Sequence, residues 1–226
     1  MSMEVLPVVN CQDEGCVRGA LERAATFLPE DSWIHLDVAD GRFTVHKTWS
    51  DPASWAAWRE PYKLEVHLMV EEPERAVPEW LAAGAKRLVV HYEALADTRF
   101  RKVPVSPEAL ANRILEMAGA RKVPVFLGIN PETPVEPIAD LIGRFAGAQT
   151  LAVTPGLAGQ KFLPVVLDKI SFLRRRLPNA KIEVDGGINP ETAGRAKAAG
   201  ADIITSADYV FGSPNPGAAY ADLCRI

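Results

Sequence analysis

"WIHLDVADG", residues 33–41, reads as an apolar strand interrupted by chemistry. Trp33, Ile34, Leu36 and Val38 suit a packed interior, whereas a buried His35, Asp37 or Asp40 needs a compensating partner. Side chains alternate along a strand, so Leu36 and Val38 share one face while His35 and Asp37 share the other. Two more stretches repeat the device. In "LEVHLMV" (64–70), Leu64, Val66 and Leu68 alternate with Glu65, His67 and Met69; in "KIEVDGG" (181–187), Ile182 and Val184 alternate with Glu183 and Asp185.

These strands belong to a longer series. Strand-like runs fall at 5–9, 33–37, 64–69, 87–91, 123–128, 149–153, 181–185 and 202–205, separated by segments rich in Ala, Leu, Glu and Arg. "PERAVPEWLAAGA" (73–85) starts on Pro and stops at Gly84, as a short helix does. "SPEALANRILEMAGA" (106–120) offers Ser106 as N-cap, and "NPETAGRAKAAGA" (189–201) offers Asn189. Strict strand–helix alternation implies a parallel sheet, and eight such units imply an α/β fold of the (β/α)8 TIM-barrel type, with residues 1–226 as a single domain. An open doubly wound sheet is disfavoured because no GxGxxG turn follows the first strand. Barrel active sites form at strand C-terminal ends, so His35, Asp37, His67 and Asp185 are expected to converge at one mouth. Two imidazoles and two carboxylates suit one divalent ion, Zn²⁺ first, with Fe²⁺, Mn²⁺ or Co²⁺ as alternatives. The competing reading is four separately hydrogen-bonded core residues.

The bulk numbers narrow the partners. The 226 residues include 29 acidic and 25 basic side chains, net −4, with no electrostatic footprint for nucleic acid or a membrane surface. No apolar run approaches the ~20 residues of a membrane span, and the N-terminus lacks a signal-peptide pattern. Cys11, Cys16 and Cys224 form an odd, sparse set without a CxxC pair. They argue against a disulfide scaffold or a thiolate zinc site, and a reducing cytoplasm is expected. Arg174, Arg175 and Arg176 read as a solvated helix end.

"HLDVADG", "EVHLMVEEPE", "GINPETPVE", "VTPGLAGQKF" and "VDGGINPET" occur in an order that resembles the ribulose-phosphate 3-epimerase family, from about residue 33 to 211. The resemblance implies a (β/α)8 barrel that uses one divalent metal to interconvert D-ribulose 5-phosphate and D-xylulose 5-phosphate, a step of carbohydrate metabolism in the pentose phosphate pathway. It implies metal ligation by His35, Asp37, His67 and Asp185. Asp37 and Asp185 would also act as the catalytic acid–base pair across a 2,3-enediolate. Substrate contacts would come from Asn10, His67, Met69, Gly156, Gly159, Gly186, Gly187, Ala207 and Asp208. The partner would be a small sugar phosphate, and a homo-oligomer is expected.

The chain departs from the family pattern in places. Two of three site methionines are replaced, by Ala39 and Leu151, and Asn10 stands where the family has Ser. The family's phosphate grip uses backbone N–H groups of "PGxGGQ", "DGG" and a "GS" pair. Here Ala158 replaces one Gly, Gly186 and Gly187 are intact, and Ala207-Asp208 replaces Gly-Ser. A carboxylate about 5 Å from a phosphate dianion costs several kcal/mol at an effective dielectric of ~20. Three readings stay open: Asp208 turns away and phosphate still binds; the substrate is a different or unphosphorylated ketose; or the barrel binds metal without catalysis. Elsewhere, His91 is read as ordering the barrel rim, His46 as surface and Asp40 as fixing the turn after the second strand. Trp49, Trp55 and Trp58 are read as helix packing or an apolar patch for a second copy.

Overall fold

Alternation along the strands has a direct spatial consequence. Ile34, Leu36, Val38, Leu64, Val66 and Leu68 point outward into one large apolar cluster beneath the helices. Leu6, Val89, Phe126 and Ile203 point inward and form a separate small cluster inside the barrel, with Trp33 against it. The computed structural model describes residues 3–58, 60–97, 105–156 and 159–226. Its elements run β1 (Glu4–Val9), α1 (Glu14–Ala24), β2 (Trp33–Ala39), α2 (Pro52–Trp58), β3 (Lys63–Met69), α3 (Pro73–Ala82) and β4 (Arg87–His91). Then follow α4 (Tyr92–Ala96), α5 (Pro107–Gly119), β5 (Val125–Ile129), a 3₁₀ turn (Glu136–Ile138), α6 (Ala139–Ile142), β6 (Gly147–Leu151) and α7 (Val166–Arg176). The chain ends with β7 (Lys181–Asp185), α8 (Pro190–Ala199), β8 (Ile203–Ser206), α9 (Asp208–Phe211) and α10 (Pro216–Cys224).

All neighbouring strands pair in parallel, and β1 closes the barrel by pairing with both β2 and β8. The fold is therefore the (β/α)8 barrel expected from the alternation. In the β2–β3 register His35 lies beside Glu65 and Asp37 beside His67, which puts the two polar faces level with one another. Helix ends follow local chemistry. Ser106 accepts from the Ala109 N–H, and Asn189 accepts from Glu191 and Thr192 in a capping box. α8 stops at Gly200, which takes φ 113°.

Some boundaries move. β6 begins two residues before the expected start, at Gly147, whose position leaves no room for a side chain. A Cβ there would lie 2.6 Å from the Lys181 carbonyl and 2.8 Å from the Phe126 ring. Glycine lowers strand propensity, so the start is hidden in the pattern. The tryptophans follow the packing reading: Trp49 stacks on Trp58 with centroids 5.0 Å apart, Trp55 is buried, and the Arg18 guanidinium sits over Trp58. Among the described residues no helix is long and apolar enough to cross a membrane.

The cysteines build no disulfide scaffold among the described residues, but one pair that the spacing gave no reason to expect is bonded. Asp13 caps α1 by accepting from the Cys16 N–H, and that first turn carries Cys16 back over the end of β1, where it forms a disulfide with Cys11. Cys224 is free. Closing a loop with a sequence separation of 5 stabilises by about 2 kcal/mol on the chain-entropy argument. For a chain of this size that corresponds to about 4–8 °C in unfolding midpoint. Cys16→Ser should melt that far below the oxidised protein, and dithiothreitol should lower the wild type alone to meet it. Equal midpoints for all three samples would show that the bridge contributes nothing.

Candidate active site

The C-terminal ends of β2, β3 and β7 meet as their polar faces require. His35, Asp37, His67 and Asp185 each offer one ligand atom, all within 4.8 Å of one another. His35 Nε2 lies 3.1 Å from Asp37 Oδ1, and His67 Nδ1 lies 3.0 Å from the same oxygen and 3.5 Å from Asp185 Oδ2. Asn10, just after β1, donates to Asp37 Oδ2 at 2.7 Å, and the Thr205 hydroxyl donates to Asp185 Oδ1.

Burial and charge then act in opposite directions on these groups. Burial by itself lowers His35, but hydrogen bonds with Asp37 and Glu65 outweigh it and raise the imidazole well above its usual range. Burial pushes Asp37 up, and the bonds with His35 and His67 more than reverse this, so its carboxyl falls below the ordinary range. Asp185 moves the other way, raised by burial and then by the Asp37 charge. Together the four side chains form a buried cluster that favours positive charge at its centre. That donor set fits a divalent cation of the Zn²⁺, Fe²⁺, Mn²⁺ or Co²⁺ kind, with two nitrogen and two oxygen ligands.

A second polar layer lies beneath the first. His35 Nδ1 donates to Glu65 Oε1 at 2.5 Å, which leaves Nε2 facing the cluster. Glu65 is also bonded to Arg87, and Glu183 Oε2 lies 3.6 Å from Arg87 Nη2. Gln149 donates to Glu183 Oε1 at 3.0 Å. Burial raises Glu65, but His35 and Arg87 bring it down to about 2; burial and the Glu65 charge leave Glu183 well above its usual value. His35, Glu65 and Glu183 could by spacing alone hold a second ion. The Arg87 guanidinium already supplies positive charge between the two glutamates, so this group is a structural ion network.

Above the cluster opens a cavity of about 440 Å³. Asn10, Asp37, Met69, Leu151 and Asp185 line its floor and wall; Gly156, Gly159, Gly186, Gly187, Ala207 and Asp208 line the loop side. Ala39 is buried at the end of β2, and Ala158 lies outside the described residues. Gly186 and Gly187 take φ 101° and 65°, and a Cβ on either would strike Val153 at 2.4 Å or the Phe162 backbone at 2.5 Å. Only glycine lets the chain pass there. Asp208 is exposed at the start of α9, and a Cβ on Gly212 would come 3.0 Å from its Oδ1, so the carboxyl folds back over its own short helix. Asp40 fixes the β2 turn as expected, accepting from the Arg42, Phe43 and Glu71 N–H groups.

His46 departs from its surface reading. It is half-buried, and a Cβ on Gly156 would touch its ring at 2.9 Å, so it packs on the cavity's rim loop. His91 is buried, with Nε2 2.7 Å from His67 Nε2. Sequence reasoning gave no role to Glu65, Glu183, Arg87, Glu93, Thr205, Lys161 or Arg195. The signal for Glu65 and Glu183 was available, since each lies two residues before a site residue on the same inward face. Lys161 and Arg195 reach the cavity wall from a loop and from α8, where no strand period applies.

Strand ends converging on one cavity above a buried imidazole–carboxylate cluster define a TIM-barrel enzyme. A family model described as the ribulose-phosphate 3-epimerase family matches residues 20–211. A ribulose-phosphate 3-epimerase of Candida glabrata is 33% identical over 201 residues, covering 81% of this chain and 76% of that protein. One of Mycobacterium bovis is 33% identical over 199 residues, covering 85% and 81%. A ribulose-phosphate 3-epimerase of Oryza sativa subsp. japonica, named as a cytoplasmic isoform, is 31% identical over 190 residues, covering 82% and 78%. The 3-hexulose-6-phosphate synthase structure from Salmonella typhimurium matches with a TM-score of 0.72 at 13% identity, covering 99% of this chain and 97% of that one, which is a likeness of fold. The chain belongs to the ribulose-phosphate 3-epimerase family and is an enzyme of the isomerase class.

The lower layer makes a stability prediction. Arg87→Met leaves the buried Glu65 carboxylate without its guanidinium partner and should cost about 3–5 kcal/mol in urea unfolding. A loss below about 1 kcal/mol would mean that Glu65 is neutralised in another way.

Proposed function

We propose that this protein is a divalent-metal-dependent epimerase that inverts C3 of a ketopentose phosphate, interconverting D-ribulose 5-phosphate and D-xylulose 5-phosphate. The observation that carries the reading is the pair Asp37 and Asp185. They come from different strands, lie within 4.8 Å of each other and of two imidazole nitrogens, and open into one cavity. Inversion at carbon requires one group to remove a proton from one face and another to deliver a proton to the opposite face. Asp37, steadied by Asn10, and Asp185, steadied by Thr205, take these roles and exchange them when the direction reverses. A divalent ion held by His35, Asp37, His67 and Asp185 supplies Lewis-acid stabilisation of charge on the substrate oxygens.

The remaining contacts follow the shape of the cavity. Asn10 and Met69 line the reacting end, whereas His67, expected to touch substrate, is buried beneath the cavity and faces the cluster instead; the backbone turns at Gly156, Gly159, Gly186 and Gly187 face the phosphate end. Lys161 and Arg195 bring positive charge to that wall and offset Asp208, beside Ala207. A second reading, a different or unphosphorylated ketose, is motivated by Asp208 standing on the same wall in place of the family's Ser; the turn of its carboxyl back over α9 favours the phosphorylated sugar. The relative named as a cytoplasmic isoform supports a cytoplasmic location, within carbohydrate metabolism and the pentose phosphate pathway, while the Cys11–Cys16 disulfide weighs against a reducing compartment. Homo-oligomerisation completes the proposal and is read by light scattering.

Metal-loaded protein incubated with D-ribulose 5-phosphate in D₂O should yield xylulose 5-phosphate carrying deuterium at C3. Asp37→Asn and Asp185→Asn should each lower kcat by at least about 10²-fold, and a chelator should abolish turnover. Product without deuterium would sink the two-carboxylate reading. In competition, D-ribulose 5-phosphate should displace D-ribulose; the reverse preference would select the second reading. Under that outcome Asp208→Ser should restore preference for the phosphorylated sugar.

A further inference from the structure

We propose that His91 and Glu93 form a positioning pair that sets which nitrogen of His67 is free to bind the cation. The proposal rests on the metal reading of the site. The His67 and His91 rings are 23° from coplanar, with centroids 5.0 Å apart and Nε2 atoms 2.7 Å apart. That combination means the rings meet edge to edge through their Nε2 atoms. Two lone pairs, or two N–H groups, cannot face each other at that distance, so a single proton lies between them. His91 Nδ1 in turn lies 3.2 Å from Glu93 Oε2. The other Glu93 oxygen accepts from the Asn130 N–H at 2.9 Å and from the Thr133 hydroxyl at 2.5 Å.

These contacts permit one consistent order of donors when a cation is held. His67 Nδ1 faces Asp37 and Asp185, so ligation there needs an unprotonated Nδ1 and places the His67 proton on Nε2. His67 Nε2–H then donates to His91 Nε2, which must be an acceptor. His91 therefore carries its proton on Nδ1 and donates it to Glu93, which has only acceptors to offer. Reversing the order would set a bare His91 Nδ1 against a carboxylate oxygen and put a proton on His67 Nδ1, where the cation belongs. The Phe43 ring lies 4.8 Å from the His91 ring, and both histidines are buried. Glu93 thus does for His67, through His91, what Glu65 does for His35 directly.

Glu93→Gln is the discriminating variant because it keeps shape and replaces an acceptor by an amide. Thr133 and the Asn130 N–H hold the amide oxygen, which turns the amide NH₂ toward His91 Nδ1 and reverses the donor order. Zn²⁺ affinity, measured by competition with a chromophoric chelator, should fall about 10–100-fold. The metal-free unfolding midpoint should stay within about 2 °C of wild type. Glu93→Asp and His91→Gln, which keep an acceptor at the respective position, should each recover part of the affinity. Long-range ¹⁵N–¹H spectra of the Zn²⁺-loaded wild type should show the His67 proton on Nε2 and the His91 proton on Nδ1. Glu93→Gln binding Zn²⁺ within twofold of wild type, or a His91 proton on Nε2, would overturn the positioning role while leaving the metal site intact. Wild type failing to bind Zn²⁺, Fe²⁺, Mn²⁺ and Co²⁺ alike would remove the metal reading itself.

Discussion

The hydrogen bond from His35 Nδ1 to Glu65 joins the two polar layers inside the barrel, and both layers depend on it. Above it, the bond leaves His35 Nε2 aimed at Asp37, His67 and Asp185. Below it, Glu65 shares Arg87 with Glu183, so the buried charge is balanced within a few ångströms. A buried ion network of this kind is weak evidence for stability, because desolvation offsets much of its attraction. Its effect here is on placement. Each charge has a fixed partner, so the ring atoms that face the cavity cannot rotate away without leaving a buried charge unmatched.

The same constraint explains the division of work between strand faces. A one-residue slip of β2 or β3 would turn Leu36 and Leu64 inward and His35 and His67 toward the helices. Each apolar residue would lose its packing, and each polar residue would enter an apolar layer. Outer packing and inner chemistry therefore enforce one register jointly. The glycine turns at Gly186 and Gly187 extend this rigidity to the loops. They bring backbone against Val153 and Phe162 so closely that no side chain could intervene, which shapes the cavity just beyond the carboxylates.

Much of this was legible in advance because strand periodicity is local. His35, Asp37, His67 and Asp185 could be placed on inward faces from neighbouring residues alone, and Ser106 and Asn189 could be recognised as caps. The features that escaped join segments distant in sequence or hide behind weak propensities. Cys11 and Cys16 pair because α1 folds back over β1, which their spacing does not announce. His46 packs on Gly156, more than a hundred positions away, and His91 reaches His67 only because β3 and β4 are neighbours in the barrel. Gly147 conceals the start of β6, since its meaning lies in the Phe126 ring and Lys181 carbonyl opposite.

From the sequence alone came the alternation of faces, the eight strand–helix units and the set of groups able to meet at the strand ends. Those follow from the two-residue period of a strand and from helix-cap chemistry, both of which act over a few positions. The tertiary structure alone decided which nitrogen of each histidine faces the cluster, which carboxylate Arg87 neutralises, and where the Asp208 carboxyl lies. These depend on contacts closed around the whole barrel, and a hydrogen bond has a direction that no linear pattern of residue types records.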